Sequence, residues 1–271
     1  MATDKRKKIK EWWENPKTIS LLDLNLRELE TEFVASNLSK NDLFADFGCG
    51  DGISTCRYAK LVRHCFALEE SKFLYEKFKK NIKEQEISNI ELQQGTIENL
   101  RSRKDLRGKF TAVCTQRVVI NFMSWKDQQR ILEGIHATLR PGGRYIALEN
   151  TFEGFEELNS VRRVVGLENI ILHDWHNYFL HRKKFLDFMA PMFHLEKEEH
   201  FDLYYFLTRV FTNMFAKFEG FGSNAKKDAI FEVADYAARL LFSKFRDKVK
   251  IQTAGESSFG PIQGWVFRKI G

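Results

Sequence analysis

The sequence predicts an α/β fold, a mainly parallel sheet with helices on both faces, on three observations. Across the first 150 positions, short apolar runs of strand length alternate with amphipathic stretches of about ten residues or more. The first run stops at "GCGDG" (48–52), a glycine cluster placed where open parallel sheets receive ligands. Of the 271 residues, 43% are hydrophobic, enough to bury a sheet on both sides.

Each element follows from its own pattern. Residues 17–39 space their apolar positions as an amphipathic helix does, and with the preceding residues they form a helical N-terminal cap, 1–40. "DLFADF" (42–47) is the first strand, ended by Gly48. In "ISTCRYAKLV" (53–62), Ile53, Cys56, Ala59 and Leu61 or Val62 share one side of a helix. "HCFALE" (64–69) is the second strand. Phe73, Leu74, Phe78 and Ile82 make one stripe of a helix over 71–85, and "NIELQQG" (89–95) is the third strand. "FTAVCTQ" (110–116), a helix over about 126–139, the turn "RPGG" (140–143) and "RYIALEN" (144–150) continue the alternation. Residues 151–182 then read as a long connection bearing aromatics and histidines, the kind that is usually a lid or binding element. A helix over 183–192, a strand over 194–201, an aromatic stretch through Phe221, a helix over about 225–245 and a closing strand "IQGWVFRKI" (262–270) complete the chain. The body is thus one domain, 41–271, with insertions at about 151–182 and 203–260.

Composition narrows the function. The longest stretch without Asp, Glu, Lys or Arg is 257–267, far short of the roughly 18 apolar residues of a membrane span. No apolar leader follows the basic N-terminus, so a cytoplasmic location is expected. Cys49, Cys56, Cys65 and Cys114 show neither CxxC pairing nor metal-ligand spacing and are expected to be reduced, mostly buried thiols; no metal is expected. Much of the net charge of +6 sits in "KRKK" (5–8), which reads as a solvated tail and argues against a nucleic-acid site.

The glycine loop admits a ligand because any Cβ there would clash or oppose positive φ. Its spacing differs from the dinucleotide and nucleoside-triphosphate loops. No lysine follows to hold a phosphate, and the preceding Asp46 suits a cation or a neutral amine. Glu69 ends the second strand, where a carboxylate accepts from two ribose hydroxyls.

In this order, "DFGCGDG", "ALEESKFLYEKFKKN", "QGTIENL", "FTAVCTQ" and "LRPGGRYIALE" resemble the class I S-adenosylmethionine-dependent methyltransferases over about 40–150. The resemblance implies a Rossmann-like seven-stranded sheet of order 3-2-1-4-5-7-6, its last-numbered strand antiparallel, and S-adenosylmethionine as cofactor. It places Asp46, Gly48, Cys49, Gly50 and Gly52 around the methionine part of the cofactor, Glu69 on the ribose, Glu70 beside the adenine, and Thr96 and Ile97 along the ring, with Thr115 counted in the same set. Thr96 departs from the Asp that many members carry. Gly52 also reads as a place where helix and sheet approach, and Glu70 as a solvated surface acid.

The acceptor side is expected beyond strands four and five. Gln116, Arg117 and Asn121 follow strand four, and Arg117 either clamps an anionic substrate or pairs with a structural acid such as Glu149. "LHDWHNYF" (172–179) supplies Trp175 and Asn177 as acceptor contacts and His176, then His173, as candidate bases, with Glu149 a further one. "RVVIN..SW..Q" with "WHNYF" also resembles a subgroup carrying a WHN-containing segment after strand five. Trp12 and Trp13 are placed to close over the cofactor or to anchor a partner helix. Residues 203–221 read as a buried cap, with a substrate wall or homodimer face as alternatives.

The expected activity is methylation of a small-molecule acceptor at oxygen, a sugar or related metabolite among the candidates. Its alternatives are an N-methyltransferase on RNA or protein and a noncatalytic cofactor-binding module. No "NPPY" or "DPPY" follows strand four, where "TQRV" stands.

Overall fold

The apolar runs become the strands Leu43–Phe47 (β1), His64–Glu69 (β2), Ile90–Gln94 (β3), Phe110–Gln116 (β4), Leu139–Asn150 (β5), Phe193–His200 (β6) and Ile262–Lys269 (β7). The structure is a computed structural model and describes residues 2–18, 23–173, 175, 177–218, 229–249, 251 and 259–271. Before and between the strands lie helices Ala2–Glu14 (α1), Leu24–Ala35 (α2), Ile53–Ala59 (α3), Lys72–Glu84 (α4), Trp125–Thr138 (α5), Phe152–Val164 (α6), Arg182–Met189 (α7), Asp202–Tyr205 (α8), Thr212–Phe218 (α9) and Ala229–Phe245 (α10). The sheet order is β3-β2-β1-β4-β5-β7-β6, as the resemblance implied. β7 runs antiparallel to both of its neighbours, and the other pairs are parallel.

Alternation along the strands divides the core into two layers. Ala45, Phe47, Phe66, Leu68, Tyr145 and Trp265 face the layer closed by α5 and α7. Phe44, Cys65, Cys114, Ile146 and Val266 face the opposite layer, closed by α2, α3, α6, α8 and α10. Caps set several helix starts: Asp23, Ser71, Ser124 and Thr151 each accept from a backbone N–H three residues on. No helix among the described residues is long and apolar enough to cross a membrane. The four cysteines are free thiols, three of them buried and Cys49 half-buried.

Several expectations change. The helix expected over 17–39 starts only at Leu24, where the Asp23 cap interrupts it. "RPGG" is not a separate turn, because β5 begins at Leu139, paired with Phe110, and a register shift absorbs the glycines. The connection 151–182 opens with helix α6, started by the Thr151 cap and burying Phe155, Leu158 and Arg162. The basic N-terminus is no solvated tail, since Arg6 pairs with both Glu70 and Glu98, and Lys10 with Glu70 at 2.6 Å. In 203–221, Tyr204, Tyr205 and Val210 are buried as expected of a cap, while Phe211 and Phe215 are exposed; 219–221 lie outside the described residues.

Candidate active site at the carboxyl edge of the sheet

A cleft of about 700 Å³ opens at the carboxyl ends of β1, β2, β4 and β5, within the roughly 300–1,000 Å³ of small-molecule sites. At one end it is lined by Asp46, by Gly48, Cys49 and Gly50, by Glu69 and Glu70, and by Ile97. The turn is tied to β2: Gly50 N donates to Glu69 Oε2 at 2.8 Å, while Glu69 Oε1 accepts from Ser71 N at 2.9 Å. A carboxylate has about four lone-pair directions, so two remain for ligand hydroxyls. Burial pushes the Glu69 carboxyl up to about 7, against these bonds. Asp46 accepts from Thr55 Oγ1 at 2.6 Å, and burial pushes it up to about 6. A Cβ built on Gly50, at φ 60°, would meet no atom within 4 Å.

Four expected contacts lie elsewhere, each for a physical reason. Gly52 does not line the cleft; a Cβ there would overlap the Phe78 ring, so its bareness lets α3 approach α4. Thr96 spends its hydroxyl capping the 3₁₀ turn Ile97–Ser102, accepting from Glu98 N. Thr115 is buried, bonded to Tyr145 Oη at 2.8 Å and to Glu149 Oε1 at 3.0 Å. Trp175 stands outside the cleft, edge-on to Trp12 with centroids 5.6 Å apart. Glu70 borders the cleft, but Arg6 and Lys10 neutralise it.

Glu149 is likewise no base facing a ligand. It is fully buried and accepts from Thr115 Oγ1 and from the backbone N–H groups of Val118, Val119 and Ile120 at 3.0–3.4 Å. Burial pushes its carboxyl up to about 7 despite those bonds. Its work is to hold the chain after β4 in place. Arg117, at φ 56°, does line the cleft and does pair with an acid, but that acid is Glu30 of α2, at 3.2 Å. Gln116 accepts from Tyr58 Oη at 2.8 Å and borders the cleft with Asn121, Asn177 and His173. His176 and its neighbour Asp174 lie outside the described residues.

Sequence reasoning missed Arg6 and Arg27, and it missed Arg162 and Arg209, which line the far end. No spacing signal connects these positions. Of the two tryptophans placed over the site, Trp13 borders it and Trp12 does not.

The raised carboxyls fix a pH dependence. Asp46, Glu69 and Glu149 bind a proton more readily in the fold than in the unfolded chain, so their stabilising contribution is complete below the unfolded values and lost as pH rises through 6 to 7. Calorimetry of the ligand-free protein is expected to show the melting temperature falling by about 5 °C or more between pH 5.5 and 7.5. A flat or rising profile contradicts the burial of these groups.

Residues 44–143 match a family model described as a methyltransferase domain. An uncharacterized protein, RP028, of Rickettsia prowazekii (strain Madrid E) is 26% identical over 146 residues, a segment covering 53% of this chain and 57% of that relative. The match therefore spans little more than half of the curated relative's length. Among solved structures, geranyl diphosphate methyltransferase in complex with GPP and sinefungin is similar at 13% identity with a TM-score of 0.59, covering 98% of this chain and 99% of that one. The N-methyltransferase NodS of Bradyrhizobium japonicum, in complex with S-adenosyl-L-homocysteine, is similar at 11% identity with a TM-score of 0.54, covering 98% of each chain. At such identities these two likenesses show a shared fold.

Proposed function

From the likeness of residues 44–143 to a methyltransferase domain, we infer that this chain transfers a methyl group from S-adenosylmethionine to a small-molecule acceptor, at oxygen. The observation that carries the reading is the single cleft that joins the bare turn at Gly48–Gly50 and the Glu69 carboxylate to the polar wall after β4. When bound, the sulfonium supplies an already activated methyl. The chain's part is alignment and proton removal.

Glu69 uses its two free lone-pair directions on the ribose hydroxyls, Asp46 places negative charge toward the cationic end, and Ile97 walls the adenine. Trp13, with α1 latched by Arg6 to Glu70 and Glu98, covers this end, which gives residues 1–40 their role as a cap. On the other side Gln116, Asn121 and Asn177 orient the acceptor, and His173 takes its hydroxyl proton on a ring nitrogen. His176, the first candidate from sequence, belongs to the same WHN-containing segment and is tested beside it. A cytoplasmic location is part of the proposal.

The test is titration with S-adenosylmethionine, followed by labelled methyl transfer to a metabolite extract and, separately, to RNA. Saturable binding with label in the small-molecule fraction supports the reading; label in RNA or protein, or binding without transfer, overturns it. His173→Ala is expected to slow transfer by about 100-fold with cofactor affinity preserved. If His173→Ala keeps full turnover and His176→Ala loses it, the proton passes to His176.

A further inference from the structure

Charge is unevenly spread along the cleft. Around the glycine turn lie the carboxyls Asp46, Asp51 and Glu69, with Arg27 against Asp51 and Arg6 held by Glu70 and Glu98, whereas beyond β4 and β5 the lining gathers Arg117, Arg162 and Arg209 with Asp23. Arg27 has Asp51 at 3.9 Å, Arg117 has Glu30 at 3.2 Å, and Arg209 has Asp23. Arg162 forms no ion pair among the described residues. Its Nε donates to the Glu168 carbonyl at 2.9 Å and its Nη1 to the Arg209 carbonyl, which uses two of five donors. Arg117 is only half satisfied, because its buried Nε has no partner and no well-aligned hydrogen bond accompanies its contact with Glu30.

The fold accepts awkward backbone to bring these groups together. Arg117 sits at φ 56°, in the left-handed region that L side chains seldom occupy, immediately after β4. Arg209 lies in a π-helical segment, Phe206–Phe211, a geometry concentrated at functional sites. Burial, helped by the nearby Arg209 charge, pushes the Arg162 guanidinium down. A neutral acceptor would leave this excess of positive charge uncompensated in a sheltered place.

We propose that the acceptor is an anion, a small molecule whose carboxylate or phosphate group is held by Arg162 and Arg117 at the end of the cleft away from the glycine turn. The proposal rests on the methyltransferase reading, and it fixes the acceptor class that reading leaves open. A bidentate guanidinium grip sets the direction in which the nucleophile points, so these arginines act as specificity residues. Glu30 then has a second role. It holds Arg117 in place and competes with the anion for it.

The experiment uses the full chain saturated with S-adenosylhomocysteine and titrates it by calorimetry with citrate and, separately, inorganic pyrophosphate. Saturable binding of either is expected, weakened at least tenfold by Arg117→Gln and by Arg162→Gln, weakened less by Arg162→Lys, which keeps the charge and loses the two-pronged grip, and tightened severalfold by Glu30→Gln. Which of the two probes binds more tightly tells carboxylate from phosphate. Because Arg162→Gln also cuts ties to two backbone carbonyls, melting curves accompany it, and Arg117→Gln and Glu30→Gln decide the matter if it unfolds. In the extract assay, the methylated product is expected in the fraction retained by an anion exchanger. No saturable binding of either probe, binding indifferent to Arg117→Gln and Glu30→Gln, or product only in the unretained fraction overturns the proposal. Failure of the wild-type chain to bind S-adenosylhomocysteine is a different result, and it strikes the methyltransferase reading itself.

Discussion

Gly50→Val is expected to weaken S-adenosylmethionine binding by more than about 100-fold, equivalent to roughly 2.7 kcal/mol, in a chain that still folds. Two effects combine. The new side chain would project into space where no protein atom lies within 4 Å, the space assigned to the cofactor. Residue 50 also sits at φ 60°, a conformation that costs an L residue about 1–2 kcal/mol and a β-branched one more. Relaxing that strain moves the Gly50 N–H away from Glu69 Oε2, which loosens the Glu69 carboxylate as well. Gly52→Ala provides the contrast, because its Cβ would overlap the Phe78 ring and the damage appears in the melting curve first. Titration calorimetry of Gly50→Val with S-adenosylmethionine checks the assignment, and an affinity like that of the wild type would refute it.

Glu149→Ala is expected to cost about 4 kcal/mol of folding stability and roughly 10 °C of melting temperature. The substitution leaves the N–H groups of Val118, Val119 and Ile120 and the Thr115 hydroxyl without their acceptor in a buried place. Each such orphan costs on the order of 1–3 kcal/mol. Relief from burying a carboxyl that is pushed up to about 7 offsets part of the sum. Glu149→Gln keeps one acceptor oxygen and is expected to retain most of the stability together with turnover. A Gln variant of native stability that no longer transfers methyl would restore Glu149 as the base.

The local chemistry of this site was legible because it is written in consecutive residues. The glycines 48 and 50, the acid one residue before the end of β1 and the acid ending β2 are consequences of short-range pattern, as are the strand runs and several helix caps. Gly52 shows the limit. One residue type serves two needs, room for a ligand and room for a neighbouring ring, and only the position of Phe78 tells them apart. Glu149 shows it again, since a carboxylate at a strand end reads as a base until the turn that folds over it supplies three N–H donors and Thr115 of β4 a fourth.

By itself, then, the sequence determined the sheet, its glycine turn and the carboxyls that flank it, since periodicity and backbone freedom act between near neighbours. The tertiary structure alone decided which cations join Arg117, a residue that the sequence already set on the acceptor side. Arg27, Arg117, Arg162 and Arg209 come from α2, the loop after β4, α6 and a π-helical segment, and they meet only because these elements pack around one edge of the sheet. Electrostatic pairing depends on distance in space, and distance along the chain carries almost none of that information.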